Sequence, residues 1–302
     1  MRLTRPPAGW LDRLTRKLAP ILAAVALLAG CTIPKPPGDA PLRYRDVVFS
    51  GVSKSADLQY GTAPDLQGHP VALKLDLYQP TGDTVARRPV IIWVHGGGFS
   101  AGDKSDGTDW STAFAQRGYV AVSLGYRLLA PGPCGGTGQV PDYCYTAAYG
   151  AQHDAQAAVR WLRKNAAFLK IDPDRIAMAG ESAGAVTSLL VGWRRDDPGT
   201  SGNPGPPSSI RAAVSVAGGL PLNDYIGAGD APAFFFHGTS DPTVPFSWAT
   251  SNVAAMHEHG LVVGIRTFDG EGHGLFGAHR TEIHEQADYF LYFMMDLAHA
   301  AQ

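Results

Sequence analysis

Three observations make this 302-residue sequence an α/β fold, with a mainly parallel central sheet of about eight strands and helices on both faces. Apolar, β-rich runs recur along the chain, and several are continuously apolar, as in strands buried on both sides. Segments with helical spacing lie between those runs, and strands that alternate with helices imply parallel pairing. A composition of 45% hydrophobic and 17% charged residues supplies one large core and excludes a disordered or fibrous chain. The 36 Gly and 23 Pro have no fixed period, so collagen-like order is excluded.

At the start, Arg2, Arg5, Arg13, Arg16 and Lys17 stand against Asp12, and residues 18–30 (LAPILAAVALLAG) are apolar and uncharged. A basic stretch followed by an apolar one reads as a signal peptide over residues 1–30. The apolar run is shorter than the roughly 20 residues of a spanning helix. It ends in Leu28-Ala29-Gly30-Cys31, which looks like a bacterial lipobox. Cys31 is therefore expected to carry lipid and to anchor an exported protein at the cell-envelope membrane. An ordinary signal peptide followed by a chance Cys is the alternative. Of 25 basic and 27 acidic residues, five basic and only Asp12 fall in that leader, so the remaining chain is acidic. Such a body carries no electrostatic footprint for nucleic acid. Residues 31–41 then read as the lipidated Cys and a Pro-rich, extended spacer, and residues 42–302 as one domain.

Within that domain the strand-like runs are residues 44–52, 71–78, 89–94, 119–124, 176–179, 212–217, 234–236 and 262–268. The first two have only the turn-rich residues 53–70 between them and are expected to form an antiparallel edge. Helical spacing is clearest at residues 151–165 and 283–298 and is also present at 183–193. Two connections are long for this architecture. Residues 195–209 (RDDPGTSGNPGPPSS) read as a solvated connection, and residues 129–148 hold Cys134 and Cys144. In an exported protein two thiols in one loop most simply pair, bordering the mouth of any site there. A zinc site competes poorly, because two Cys without His at ligand spacing leave the metal's coordination incomplete.

The chemistry concentrates in four places. Gly180-Glu181-Ser182-Ala183-Gly184 follows the strand IAMA directly and precedes an apolar helix. That context makes it a nucleophile elbow, in which two Gly allow a turn tight enough to expose Ser182 in a strained conformation. His95-Gly96-Gly97-Gly98-Phe99 follows the strand VIIWV. Consecutive Gly let backbone N–H groups point into a cavity, as a tetrahedral oxyanion requires, and Ala183 N–H can add a donor. A flexible turn or a phosphate loop is the competing reading, but no helix opens at once and no Lys-Ser/Thr follows at nucleotide-loop spacing. His95 reads as a residue that shapes the loop. A serine hydroxyl needs a base, and the base needs an orienting carboxylate. His273 in GEGHG follows the last strand, and Asp241 in HGTSDP follows the strand FFF. Ser182, Asp241 and His273 thus all fall at C-terminal ends of strands, where sites of open parallel sheets form. His257 and His259 lie on different faces of a helix, and no His-Glu-x-x-His occurs, so neither a metal nor a cofactor is expected.

HGGGF, GESAG, HGTSDPTVP and GEGHG, in this order, resemble an α/β-hydrolase of the esterase/lipase group with an HGGG oxyanion loop. The resemblance covers roughly residue 76 to the C-terminus and includes carboxylesterases, among them feruloyl and acetyl-xylan esterases, and arylformamidases. It implies Ser182 as nucleophile, His273 as base and then acid, and Asp241 as its orienting partner. Gly97, Gly98 and Ala183 are implied as oxyanion donors. The expected activity is hydrolysis of short-chain or accessible acyl esters. An amidase or arylformamidase with the same triad is the enzyme alternative, and a non-catalytic surface binding protein on the same scaffold is the alternative from another class. Relatives with a helical cap carry it before the HGGG strand, where residues 42–88 read as strands and turns. No large cap and an open site are therefore expected.

Overall fold

The computed structural model describes residues 32–195 and 197–300. The signal peptide expected over residues 1–30 and the lipidated Cys31 lie outside the described residues. One sheet forms the centre, from β1 (Val52–Pro64), β2 (Pro70–Pro80), β3 (Arg88–Val94), β4 (Val120–Leu124), β5 (Ile171–Glu181), β6 (Ala213–Val216), β7 (Ala233–Gly238) and β8 (Val263–Phe268). Their order across the sheet is β1-β2-β4-β3-β5-β6-β7-β8. β2 pairs antiparallel with both β1 and β4, and the other pairs are parallel. Between the strands run α1 (Thr108–Ala115), α2 (Asp142–Lys164), the single turn α3 (Ala166–Leu169), α4 (Ala183–Trp193) and α5 (Phe246–Glu258), and α6 (Leu275–Met294) follows β8.

The apolar runs are explained by two cores. Every residue of β3 is buried. Ile92 and Val94 join Ala155 of α2, Leu189 of α4 and Met256 of α5 on one face. Ile91 and Trp93 join Trp110 of α1 and Phe290 of α6 on the other. Period-2 alternation with both sides apolar leaves no polar face to betray the strand. β3 also marks the point where the topology reverses, since it pairs with β4 on one side and β5 on the other. The connections through α1 and through α2 therefore cover opposite faces, and a crevice opens beyond the C-terminal ends of β3 and β5.

Three expectations need correction. Residues 44–52 form no strand up to Val52, because Tyr44 turns at φ 67° and its N–H, with those of Val48 and Phe49, bonds to the end of α1 instead. The edge strand is β1, in the stretch read as turns; its first half is almost wholly exposed, so no apolar alternation marks it. Residues 32–41 are not a free spacer. Ile33 is 5% exposed in the α6-side core and hydrogen-bonds through its backbone to Gln286, while Arg45 binds the carbonyls of Pro36 and Gly38. Cys144 lies not in a loop but in the first turn of α2, which begins at Asp142. The connection after α4 forms no helix or strand among its described residues and is largely exposed, as expected, and it is also anchored: Ser201 is fully buried against Arg127 and Asp154, and Arg160 holds the carbonyls of Pro198 and Gly202.

Candidate active site

Ser182 stands between β5 and α4, with φ 54° and ψ −117°, a conformation costly for any residue with a Cβ. Its neighbours make the turn possible. A Cβ at Gly184 would lie 2.0 Å from the Val94 carbonyl oxygen, and one at Gly180 would lie 2.3 Å from the Gly184 carbonyl carbon. The helix can thus start only if both positions are glycine. Ser182 N–H donates to Val216 O (2.9 Å) and Val186 N–H donates to Ser182 O (3.0 Å), so the strained residue is held from both sides.

The structure brings Ser182, His273 and Asp241 together from three connections. His273 Nε2 is 2.8 Å from Ser182 Oγ, and His273 Nδ1 is 2.8 Å from Asp241 Oδ2. The other carboxylate oxygen accepts the N–H groups of Thr243 (2.8 Å) and Val244 (3.0 Å). Burial opposes ionisation of Asp241, but the bonds from His273, Val244 and Thr243 outweigh it and hold the carboxyl below its ordinary range. Asp241 is therefore an anion placed to accept a hydrogen bond from Nδ1–H of His273, the tautomer that leaves Nε2 as an acceptor facing Ser182 Oγ.

Gly97 and Gly98 both have positive φ, 105° and 58°. The Gly97 carbonyl accepts the N–H groups of Ser100 and Ala101, and the Gly98 carbonyl accepts that of Cys134 (3.0 Å). His95 is buried beneath this loop, with Nδ1 2.8 Å from Gly96 O and its ring stacked on Tyr126 at 4.3 Å. Burial pushes its imidazole pKa down, so it stays neutral. Ala183 opens α4, whose N-terminus favours negative charge nearby.

Two cavities meet at Ser182. One, of about 80 Å³, is lined by apolar groups including Phe99, Ala183, Val186, Leu190 and Leu220. The other, an open groove of about 650 Å³, is lined by Gly96, Gly97, Gly98, Asp106, Glu181 and His273. Burial and the nearby Asp106 raise the Glu181 pKa against the opposing pull of His273 and Arg280. Cys134 borders both cavities and is disulfide-bonded to Cys144. Among the described residues, no group of three or more His, Cys, Asp or Glu side chains is placed to hold a metal ion.

Some residues of the site escape a reading by motif. His237, at the end of β7, is fully buried, with Nε2 2.9 Å from Val244 O and 3.5 Å from Asp241 Oδ2. Burial lowers its pKa and keeps it neutral, so it braces the turn carrying the carboxylate. The Asp-Pro-Thr-Val sequence was the available signal for that turn, since an Asp side chain readily accepts N–H groups two and three residues on. Arg127, which belongs to none of the four motifs, forks onto Asp154 of α2 with contacts of 2.8 to 3.1 Å. That partner is 27 residues away and invisible to local pattern.

Residues 75–218 match the family described as BD-FAE, and residues 221–299 match the prolyl oligopeptidase family. Esterase LipI of Mycobacterium tuberculosis is 36% identical over 132 residues, 43% of this chain and 35% of the relative. Carboxylesterase NlhH of the same species is 37% identical over 121 residues, 39% of this chain and 32% of its own length. The match thus spans about a third of the length of these curated relatives. Among solved structures, a propionate-bound thermophilic esterase, Est2 of Thermogutta terrifontis, aligns with TM-score 0.66 and 26% identity over 86% of this chain and 99% of that one. Its butyrate-bound form aligns with TM-score 0.64 and 27% identity over 76% and 92%. With this sheet order, the glycine loop after β3 and the Ser182 elbow, the chain has the α/β-hydrolase fold and is similar to esterases and lipases built on it.

Proposed function

We propose that the protein is a serine carboxylesterase that cleaves short-chain or accessible acyl esters through an acyl-enzyme on Ser182. The observation that carries this reading is the pair of 2.8 Å contacts joining Ser182 Oγ, His273 and Asp241. His273 Nε2 takes the hydroxyl proton as Oγ attacks the ester carbonyl, and Asp241 stabilises the imidazolium that results. The carbonyl oxygen, now negative, is received by N–H groups of Gly97, Gly98 and Ala183, each such donor being worth roughly 3 kcal/mol in the transition state. His273 then gives its proton to the departing alkoxide. Water repeats the sequence and frees the acid.

The acyl group fits the apolar cavity and the alcohol fits the open groove. A cavity of about 80 Å³ has room for a few carbons, which matches the propionate and butyrate named for the thermophilic relatives. No cap sequence surrounds it with further apolar surface to grip a long chain. The open groove admits a large alcohol, including an acylated group on a polymer. Cleavage of amides by the same triad remains the second reading, because leaving-group preference depends on the groove and not on the triad. Export and a lipid anchor at Cys31 are part of the proposal on the strength of the basic and apolar leader ending in LAGC.

A panel of p-nitrophenyl esters from acetate to palmitate, with an anilide of the best acyl group, tests the reading. We expect kcat/KM to peak between acetate and butyrate and the anilide to be hydrolysed far more slowly. Activity that climbs steadily to palmitate, or an anilide rate equal to the ester rate, contradicts it.

A further inference from the structure

We propose that residues 133–136, pinned by the Cys134–Cys144 disulfide, are a positioning element that sets the oxyanion donors and ties them to the Asp241 turn, so that the bridge governs kcat. The proposal rests on the serine esterase reading of Ser182.

The strip lies between the two loops that must be in register for catalysis. On one side Cys134 N–H donates to Gly98 O at 3.0 Å, and just before it Ala130 N–H donates to Phe99 O at 3.1 Å. On the other side Gly136 N–H donates to Thr243 O at 2.7 Å, and Thr243 N–H itself donates to Asp241 Oδ1 at 2.8 Å. A continuous backbone path therefore runs from the glycine loop to the carboxylate. The fit is close at both ends. A Cβ at Gly98 would lie 2.8 Å from Cys134 N, and one at Gly135 would lie 2.7 Å from Thr243 Cγ2.

The effect on the donors follows from peptide geometry. The Gly98 N–H shares a rigid plane with the Gly97 carbonyl, which Ser100 and Ala101 hold. The next plane carries the Gly98 carbonyl, which accepts the Cys134 N–H of the strip. Gly98, at φ 58°, has no Cβ to restrict the rotation between the two planes, so the Cys134 bond does that work. Cys134 in turn is fixed by Cys144, which is 4% exposed in the first turn of the long helix α2. Without the bridge, a Gly-rich strip must hold its register by single hydrogen bonds, and a misplacement on the order of 1 Å can cost about 10²-fold in rate.

The test uses the folded protein with a trialkylphosphine, p-nitrophenyl acetate as substrate, and a trifluoromethyl ketone that forms a tetrahedral adduct with the active serine. Thiol titration establishes that the bridge is open, and far-UV circular dichroism monitors the fold. We expect an intact far-UV spectrum, a kcat lowered about tenfold or more with KM changed less than about twofold, and ketone affinity weakened in parallel, as the loss of an interaction made only in the transition state requires. Reoxidation should restore both. The double variant Cys134→Ala/Cys144→Ala should match the reduced protein and should not respond to phosphine. Unchanged kcat and ketone affinity with two free thiols overturns the proposal. So does loss of the far-UV signal, which assigns the bridge to folding. An oxidised protein that hydrolyses no ester instead defeats the esterase reading on which the proposal rests.

Discussion

At the scale of single residues, the site depends on one carboxylate being an anion and aimed. Asp241 accepts three N–H donors and faces a neutral His237, so Asp241→Asn replaces an acceptor at His273 with a group that can equally present NH₂. We expect kcat to fall about 10³- to 10⁴-fold while the fold is kept, as loss of the correct imidazole tautomer does in serine hydrolases. A fall below tenfold, measured with p-nitrophenyl acetate, would place the orienting role elsewhere. A second residue-scale prediction concerns His284, half-buried among Trp110, Phe114 and Phe276. Burial first, then Arg117 and Arg280, lower its pKa from 6.5 to about 4, against the weaker pull of Asp109. Between those values the unfolded chain takes up a proton that the folded chain refuses, so this group costs stability as pH falls from 6.5 towards 4. The cost reaches about 3 kcal/mol at the lower end. Asp288, buried on the same helix with a raised pKa, has the opposite sign over this range but is common to both proteins in a comparison of wild type with His284→Phe. The variant should lose less stability on acidification, measured by urea unfolding at pH 7 and pH 4.5; parallel losses would refute the assignment. Residues at this scale were legible where chemistry and turn geometry coincide in a few consecutive positions, as in GESAG. His237 and the pairing of Arg127 with Asp154 were not, because burial and a distant partner give them their roles.

At the scale of elements, β3 to β8 and α4 were legible because two apolar faces and tight glycine turns leave few alternatives. β1 was not, since an edge strand with an exposed first half carries no alternation. The opposite failure occurred at residues 32–41, where proline content suggests an extended spacer but long-range packing decides. Ile33 is buried beside α6 and its backbone is bound to Gln286, 253 residues away. Ile33→Ala should therefore destabilise the protein by about 2 kcal/mol or more, the cost of removing a buried aliphatic side chain. Thermal unfolding reads this directly, and an unchanged midpoint would restore the spacer reading. The start of α2 at Asp142 has a similar lesson: the Cys144 turn continues a helix whose later residues alone showed clear helical spacing.

For the whole molecule, the reversal of strand order at β3 creates the crevice, and three connections from β5, β7 and β8 deliver Ser182, Asp241 and His273 to it. The fold was readable from alternation of strand and helix. The shape of the site was less so, because the disulfide strip and the apolar cavity are made from segments that meet only after folding. An apolar cavity on one side of Ser182 and an open groove on the other define a molecule that divides an ester between them. In the proposed reaction this division passes through a covalent acyl group on Ser182. Rapid acid quench of the protein mixed with p-nitrophenyl acetate, followed by peptide mass spectrometry, tests it most directly. One acetyl group per chain is expected, on the peptide containing Ser182, formed in a burst with p-nitrophenol and absent from Ser182→Ala. Turnover with no acetylated serine, or acetylation at another residue that persists in Ser182→Ala, would contradict it.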